Sequence, residues 1–178
     1  SKWDASYEQE IQKIDLFNPR TTQGWNENKI NRFVKSFYHI RGHFYVLLWH
    51  LGNFADSKKE KEMILYNISE EFGGSDQSHE GLYFKFAANF GIDLSEEIIH
   101  EPNNLPFIKK FNRGHLEWFL RHSWDYKMAA FSAYERLDNI DYNNLLALAQ
   151  NIGADNDALQ FFVVHSHADH FNRTVHEL

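Results

Sequence analysis

Three short stretches of this sequence concentrate side chains able to ligate a metal or to carry a proton. The first is FFVVHSHADHFNRTVH, residues 161 to 176. In it His165, Asp169, Asn172 and His176 recur at steps of four, three and four, which places them on one face of a helix. An imidazole and a carboxylate one turn apart can bind one metal, or one can bind while the other orients it. The apolar run Phe161 to Val164 drives the start of this helix into a core. Taken by itself, the stretch reads more plainly as a structural His–Asp pair on a half-wet face. His167 and His170 lie on a different face and read as surface residues.

Two other stretches shift that balance. In AAFSAYERL, residues 129 to 137, Glu135 shares a stripe with Met128 and Phe131 and therefore points inward. A buried carboxylate is costly unless it is paired, protonated or bound to a cation. Arg121 and Arg136 are the arginines placed to pair with it. In EEFGGSDQSH, residues 70 to 79, a helix ends on two glutamates, a glycine turn follows, and His79 opens the next helix. The hairpin can fold Glu71 back towards His79, while Glu70 reads as a solvated helix-end charge. Register alone leaves the choice between Glu70 and Glu71 open. Together these stretches offer Glu71, His79, Glu135, His165 and Asp169 on separate helices. Carboxylate-plus-imidazole sets projecting into a bundle core hold iron or manganese in known proteins. Hard oxygen ligands with imidazole suit those metals, and thiolate ligands are excluded because the chain has no cysteine.

The elements that must position these groups are helices. Residues 27–53 carry Phe33, Phe37, Ile40, Phe44, Leu47 and Leu51 at alternating steps of four and three, a stripe of about seven turns. A second helix is expected over 57–72, stopped by Gly73-Gly74, and a third over about 76–90, stopped by Gly91. DLSE at 93–96 has the spacing of a capping box and opens a short helix. Further helices are expected near 106–121 and 124–138, from 141 to Gly153, and from Asp155 or Asp157 onward. No segment alternates with period two, so the fold class is all-α.

Bulk properties narrow the function. A chain of 178 residues with 43% hydrophobic and 16% aromatic side chains forms one folded domain. A net charge of −7 gives no footprint for nucleic acid or an anionic membrane surface. No apolar run approaches a membrane span, and the first residues lack the apolar centre of a signal peptide, so cytoplasmic residence is the default expectation.

EEFGGSDQSH, SAYERL and FFVVHSHAD resemble the three signature segments of the haem-oxygenase-like iron oxidases. This superfamily includes CADD-like proteins, UndA-like decarboxylases and N-oxygenases, and shares its fold with TenA-type thiaminases and PqqC. The resemblance covers about residues 65–172, with the segments in family order. It implies a haem-oxygenase-like bundle of about seven to eight helices, forming a single domain over residues 1–178. It also implies Glu71 and His79 as ligands of one iron, Glu135 as a shared carboxylate, and His165 and Asp169 as ligands from the last helix. In CADD-like and N-oxygenase members a second His stands three residues after that Asp. Here the position is Asn172, whose amide oxygen is a poor replacement for imidazole. One or two irons are therefore expected, with manganese as the alternative metal and His176 as a substitute ligand. The chain ends sooner after this helix than family members do, so a truncated C-terminal end is expected.

The activity implied is that of an iron-dependent, oxygen-activating oxidase or oxygenase acting on a small organic substrate with dioxygen, in a homodimer. For the CADD-like branch the resemblance further implies p-aminobenzoate formation from a tyrosine of the protein itself. Tyr45, Tyr83 and Tyr134 lie on helices able to face a cavity, with core packing the plainer role of each. A TenA-type hydrolase needs a cysteine nucleophile, which the chain lacks. A PqqC-like oxidase needs clustered basic residues, and the positive charges do not gather near the proposed site. The remaining alternative is a degenerate, non-catalytic member that binds a metal or a small apolar ligand.

Overall fold

The computed structural model describes residues 2–74 and 77–166. Among these the chain is helical with no strand, in the order α1 (Lys2–Ile11), a 3-10 turn (Asp15–Phe17), α2 (Pro19–Thr22), α3 (Glu27–Arg41), α4 (His43–Gly52), α5 (Lys58–Glu71), α6 (His79–Asn89), α7 (Ser95–Ile99), α8 (Pro106–Arg121), α9 (Trp124–Asn151) and α10 (Asn156–Ser166). Eight of these helices run for ten residues or more, which agrees with the bundle expected from the sequence. No helix among the described residues is long and apolar enough to cross a membrane.

Helix ends follow local chemistry. Gly73, Gly91 and Gly153 have φ of 92°, 66° and 95° and stand just beyond α5, α6 and α9, where the left-handed conformation suits glycine. The Asp155 carboxylate accepts from the Ala158 N–H at 2.8 Å and opens α10. The expected box at DLSE does not form. Asp93 instead accepts from the Ser95 N–H and hydroxyl at 2.9 and 2.6 Å, a turn that closes too soon to reach a residue three positions on. The reciprocal box lies at the start of α5, between Ser57 and Glu60.

Two helix boundaries differ from expectation. The stripe over 27–53 is divided at Gly42 into α3 and α4, although Gly42 keeps φ −65° and ψ −12° and donates to the Tyr38 carbonyl at 2.9 Å. A Cβ at this position would stand 3.0 Å from that carbonyl oxygen, so glycine permits the tight junction. Conversely, 124–138 and the segment from 141 form the single helix α9. The asparagines there do not interrupt it, because Asn143 and Asn144 donate to the carbonyls of Asn139 and Ile140 one turn back, at 2.8 and 2.9 Å.

The core has two clusters. Val34, Tyr83, Phe86, Tyr142, Leu145, Phe161 and Phe162 build one across α3, α6, α9 and α10. Leu47, Leu48, Leu51, Ile64, Ile68, Met128 and Phe131 build the other across α4, α5 and α9. Each fully buried side chain of this size contributes about 1.5–3 kcal/mol. Helix α9 joins both clusters, and Glu135 lies between its contributions to them. Near one end of α3 the buried Glu97 carboxylate is held at 2.9 Å by His39 and receives the Asn103 N–H and side-chain amide at 3.0 and 2.6 Å. Asn112 of α8 donates to the His39 carbonyl at 3.0 Å, so the network ties α3, α7 and α8 together. Replacing Glu97 by Ala strands these donors and is expected to cost about 3 kcal/mol, read as a lower urea midpoint at unchanged m.

Candidate metal centre

Helix ends and one helix middle bring the site together. Glu71 is the last residue of α5 and His79 the first of α6, so the glycine turn between them sets their approach. The His79 Nδ1–H lies 2.8 Å from Glu71 Oε1. His165, near the end of α10, presents its ring 4.4 Å from that of His79. One ligand atom each from Glu71, His79 and His165 fall within 4.8 Å of one another. Glu70, the other register, turns to the Tyr66 hydroxyl.

The surroundings of His165 prepare it as a ligand. Its Nδ1 lies 2.6 Å from the Phe161 carbonyl oxygen, which can only accept. Nδ1 therefore carries the proton, and the Nε2 lone pair is left for another partner. Tyr142 stacks on the ring at 4.4 Å and 15°. Burial, with the neighbouring His79, pushes the imidazole down to about 3, so it stays neutral at physiological pH.

Glu71 is nearly enclosed. Burial alone raises a carboxyl group, but the hydrogen bond and charge of His79, with Arg41 nearby, outweigh it and hold Glu71 below its ordinary value. Arg41 donates to Glu71 Oε2 at 3.3 Å and lies over the Phe161 ring at 5.3 Å. Glu135 behaves oppositely. It is 5% exposed, and its Oε1 has no hydrogen-bond partner among the described residues. Burial first, then the charges of Glu71 and Glu70, push it up to about 8. Neither arginine expected beside it pairs with it: Arg136 donates to Asp4 at 3.0 Å, and Arg121 is exposed at the end of α8. A cavity of about 30 Å³, on the scale of one water, is bordered by Arg41, Glu71, Glu135, Asp138, Tyr142 and His165.

This donor set fits a hard, divalent metal ion. Two imidazoles and a carboxylate converge, and a further carboxyl oxygen stands orphaned beside the same small cavity. Asp169 and Asn172, with His167, His170 and His176, lie outside the described residues. Of the three tyrosines, Tyr134 borders the cavity. Tyr83 is buried and donates to the Val34 carbonyl at 2.6 Å, and Tyr45 packs against Phe72 near the surface.

Sequence reasoning missed Arg41, Asp138 and Asp141. Arg41 continues the row of buried Val34, half-buried Tyr38 and buried Leu48, and a lone cation inside that stripe was its signal. Glu135, Asp138 and Asp141 follow at steps of three along α9. Division of that helix between 138 and 141 concealed the row. Burial and the surrounding carboxylates Glu135, Asp141 and Glu71 push Asp138 well above its ordinary value. Burial takes Asp141 up to about 6 against the hydrogen bond from Tyr7.

The profile of a family described as iron-containing redox enzymes matches residues 31–177. No curated protein matches the chain. The match takes in α5, α6, α9 and α10 whole, and α3 from its fifth residue onward, including Arg41. With its all-α bundle and its matched length, the chain belongs to the haem-oxygenase-like family of iron-containing redox enzymes.

Proposed function

We propose that the protein is an oxygen-activating oxidase or oxygenase of the CADD-like type, acting on a small organic substrate at an iron centre held by Glu71, His79 and His165. The convergence of their ligand atoms within 4.8 Å carries this reading. Glu135 would complete the set as a shared carboxylate, with Asp169 and Asn172, outside the described residues, as the further ligand positions that the resemblance implies. When bound, iron supplies a redox-active Lewis acid that can exchange electrons with dioxygen.

The protein's own groups supply the rest. Glu71, held ionised, and His165, held neutral, are in the protonation states that ligands require. Arg41 orients Glu71 through its second oxygen, as an outer partner does in metal sites. Glu135 holds a proton at neutral pH that it must release on becoming a ligand. The packed aromatic rings of Tyr142 and Phe161 around His165 exclude water from that side.

Anaerobic Fe(II) titration followed by Mössbauer spectroscopy is expected to show between one and two irons per chain, and exposure to air should then consume dioxygen. Asn172→His is expected to raise the iron count. Absence of specific iron, together with a Glu135→Ala effect confined to stability, would leave the degenerate-member alternative.

A further inference from the structure

Beside the small cavity lies a larger one of about 330 Å³, and the two share a wall that includes Arg41 and Asp138. The lining of the larger cavity comes chiefly from α3, α8 and α9, through residues such as Phe37, Phe111 and Leu145. One lining residue comes from elsewhere. Tyr7 of α1 stands over it beside Asp141, whose carboxylate accepts from the Tyr7 hydroxyl at 2.8 Å. Helix α1 lies ahead of the matched residues 31–177, so this piece of wall is added from outside the part of the chain that carries the centre.

The attachment of α1 differs in kind from that of the other long helices at this end of the bundle. Its ten residues are too few to hold a helix unaided, so it depends on what it docks against. Asp4 and Ile11 are its buried residues, and neither belongs to the two apolar core clusters. Trp3, stacked on Tyr7 at 6.3 Å, is half exposed. The contacts that tie this segment to α9 are polar. Besides the Tyr7–Asp141 bond, Arg136 donates to Asp4 at 3.0 Å and the Gln12 amide donates to Asn144 at 3.3 Å. Contacts of this kind near solvent contribute little net stability each. By contrast α10 docks through Phe161 and Phe162, both fully buried. The chain beyond α1 is built as a pivot. Residues 12–14 leave the helix and end on extended Ile14, with φ −82° and ψ 121°, while Phe17 just after them packs on the first core cluster. One side of the turn is therefore anchored in the core, and the other carries a short, weakly held helix.

We propose that α1 is a lid over the larger cavity, turning about residues 12–14 and latched shut by the hydrogen bond from Tyr7 to Asp141. Undocking α1 breaks three polar contacts and withdraws Tyr7 from the lining while both core clusters stay packed, so the cavity opens without unfolding the bundle. Its use in turnover rests on the iron redox reading above, since the cavity it covers adjoins that centre. The opening itself belongs to the metal-free protein.

Because the chain has no cysteine, a single introduced thiol reports access. Leu145→Cys places one in the cavity wall, and Ile64→Cys places one in the second core cluster; the native side chains are 5% and 2% exposed. Iodoacetamide labelling of each folded, metal-free protein, followed by mass spectrometry, gives the opening rates. Leu145→Cys is expected to label about ten-fold faster than Ile64→Cys and with a weaker urea dependence, because lid opening exposes less surface than unfolding. Adding Tyr7→Phe should speed labelling of Leu145→Cys about ten-fold and leave Ile64→Cys unchanged. Equal rates with one shared urea dependence, or a Tyr7→Phe effect that is absent or the same in both, overturns the proposal. Hydrogen exchange of the unmodified protein decides the matter even if a variant does not fold: α1 amides should exchange faster than those of α9, and equally slow exchange overturns the lid. Iron stoichiometry and dioxygen consumption test the centre separately. A latch effect without specific iron sinks the redox reading alone, and intact iron chemistry without a latch effect sinks the lid alone.

Discussion

Glu71→Ala is expected to destabilise the metal-free protein by about 3–5 kcal/mol and to abolish specific iron binding. The stability loss does not come from the glutamate's own burial. It comes from Arg41, whose side chain is 3% exposed and whose partner Glu71 is 10% exposed. Removing the carboxylate strands a buried guanidinium, which among the described residues keeps the Phe161 ring beneath it. The same substitution deletes one of the three converging ligand groups. The two losses separate in the double variant Arg41→Leu/Glu71→Ala, since replacing a buried ion pair by apolar groups of similar size is often close to neutral. Most of the stability should return in the double variant, and none of the iron. Chemical denaturation and anaerobic iron titration measure the two effects. A single-variant cost below about 1 kcal/mol would mean that Arg41 finds another partner.

Glu135→Gln should do the reverse: stabilise the metal-free fold and weaken the metal site. The Glu135 carboxyl is pushed up to about 8 from an ordinary value of 4.5, so the folded state holds its proton more tightly than the unfolded state does. Stability is then full below the unfolded value and is lost as pH rises through the folded one. At pH 7 the cost is about 3 kcal/mol, which glutamine, having no proton to lose, does not incur. His165, held down to about 3, contributes a loss in the opposite direction, as pH falls below its ordinary 6.5. Subtracting the variant's stability curve from that of the wild type cancels the histidine and isolates the carboxylate. The difference should be near zero below pH 4.5 and grow towards pH 8 in favour of the variant. Metal binding reports the same proton. If Glu135 becomes a ligand, Fe(II) uptake at pH 7 releases about one proton more in the wild type than in Glu135→Gln, visible as a buffer-dependent binding enthalpy. Equal proton release from both proteins would remove Glu135 from the ligand set. A group that costs the metal-free fold and serves the loaded one is the usual trade at a functional site.

Local pattern was enough to read the helices, because periodicity, capping and glycine stops act over a few residues. The row from Phe33 to Leu51, the stops at Gly73, Gly91 and Gly153, and the inward set of Glu135 behind Met128 and Phe131 all belong to that class. Where local signals were ambiguous, the reading failed in understandable ways. Gly42 tightened a helix junction that periodicity ran through, and Asn143 and Asn144 bonded back along a helix that composition appeared to interrupt. The chemistry-bearing residue types were legible for the same local reason: Glu71 and His79 are eight residues apart across one turn.

What only the tertiary structure decided is which groups meet across the bundle. His165 reaches His79 and Glu71 from the far end of the described chain. Arg41 pairs with Glu71 across thirty residues of sequence. Tyr7 reaches Asp141 from α1. None of these contacts has a sequence period, because each depends on how separate helices pack. The protonation states follow from the same packing: Glu135 and Glu71 are the same residue type on neighbouring elements, yet one is pushed up and the other held down. Sequence determined that this chain is a helical bundle carrying carboxylates and imidazoles. Packing decided which carboxylate found a cation and which was left facing a cavity.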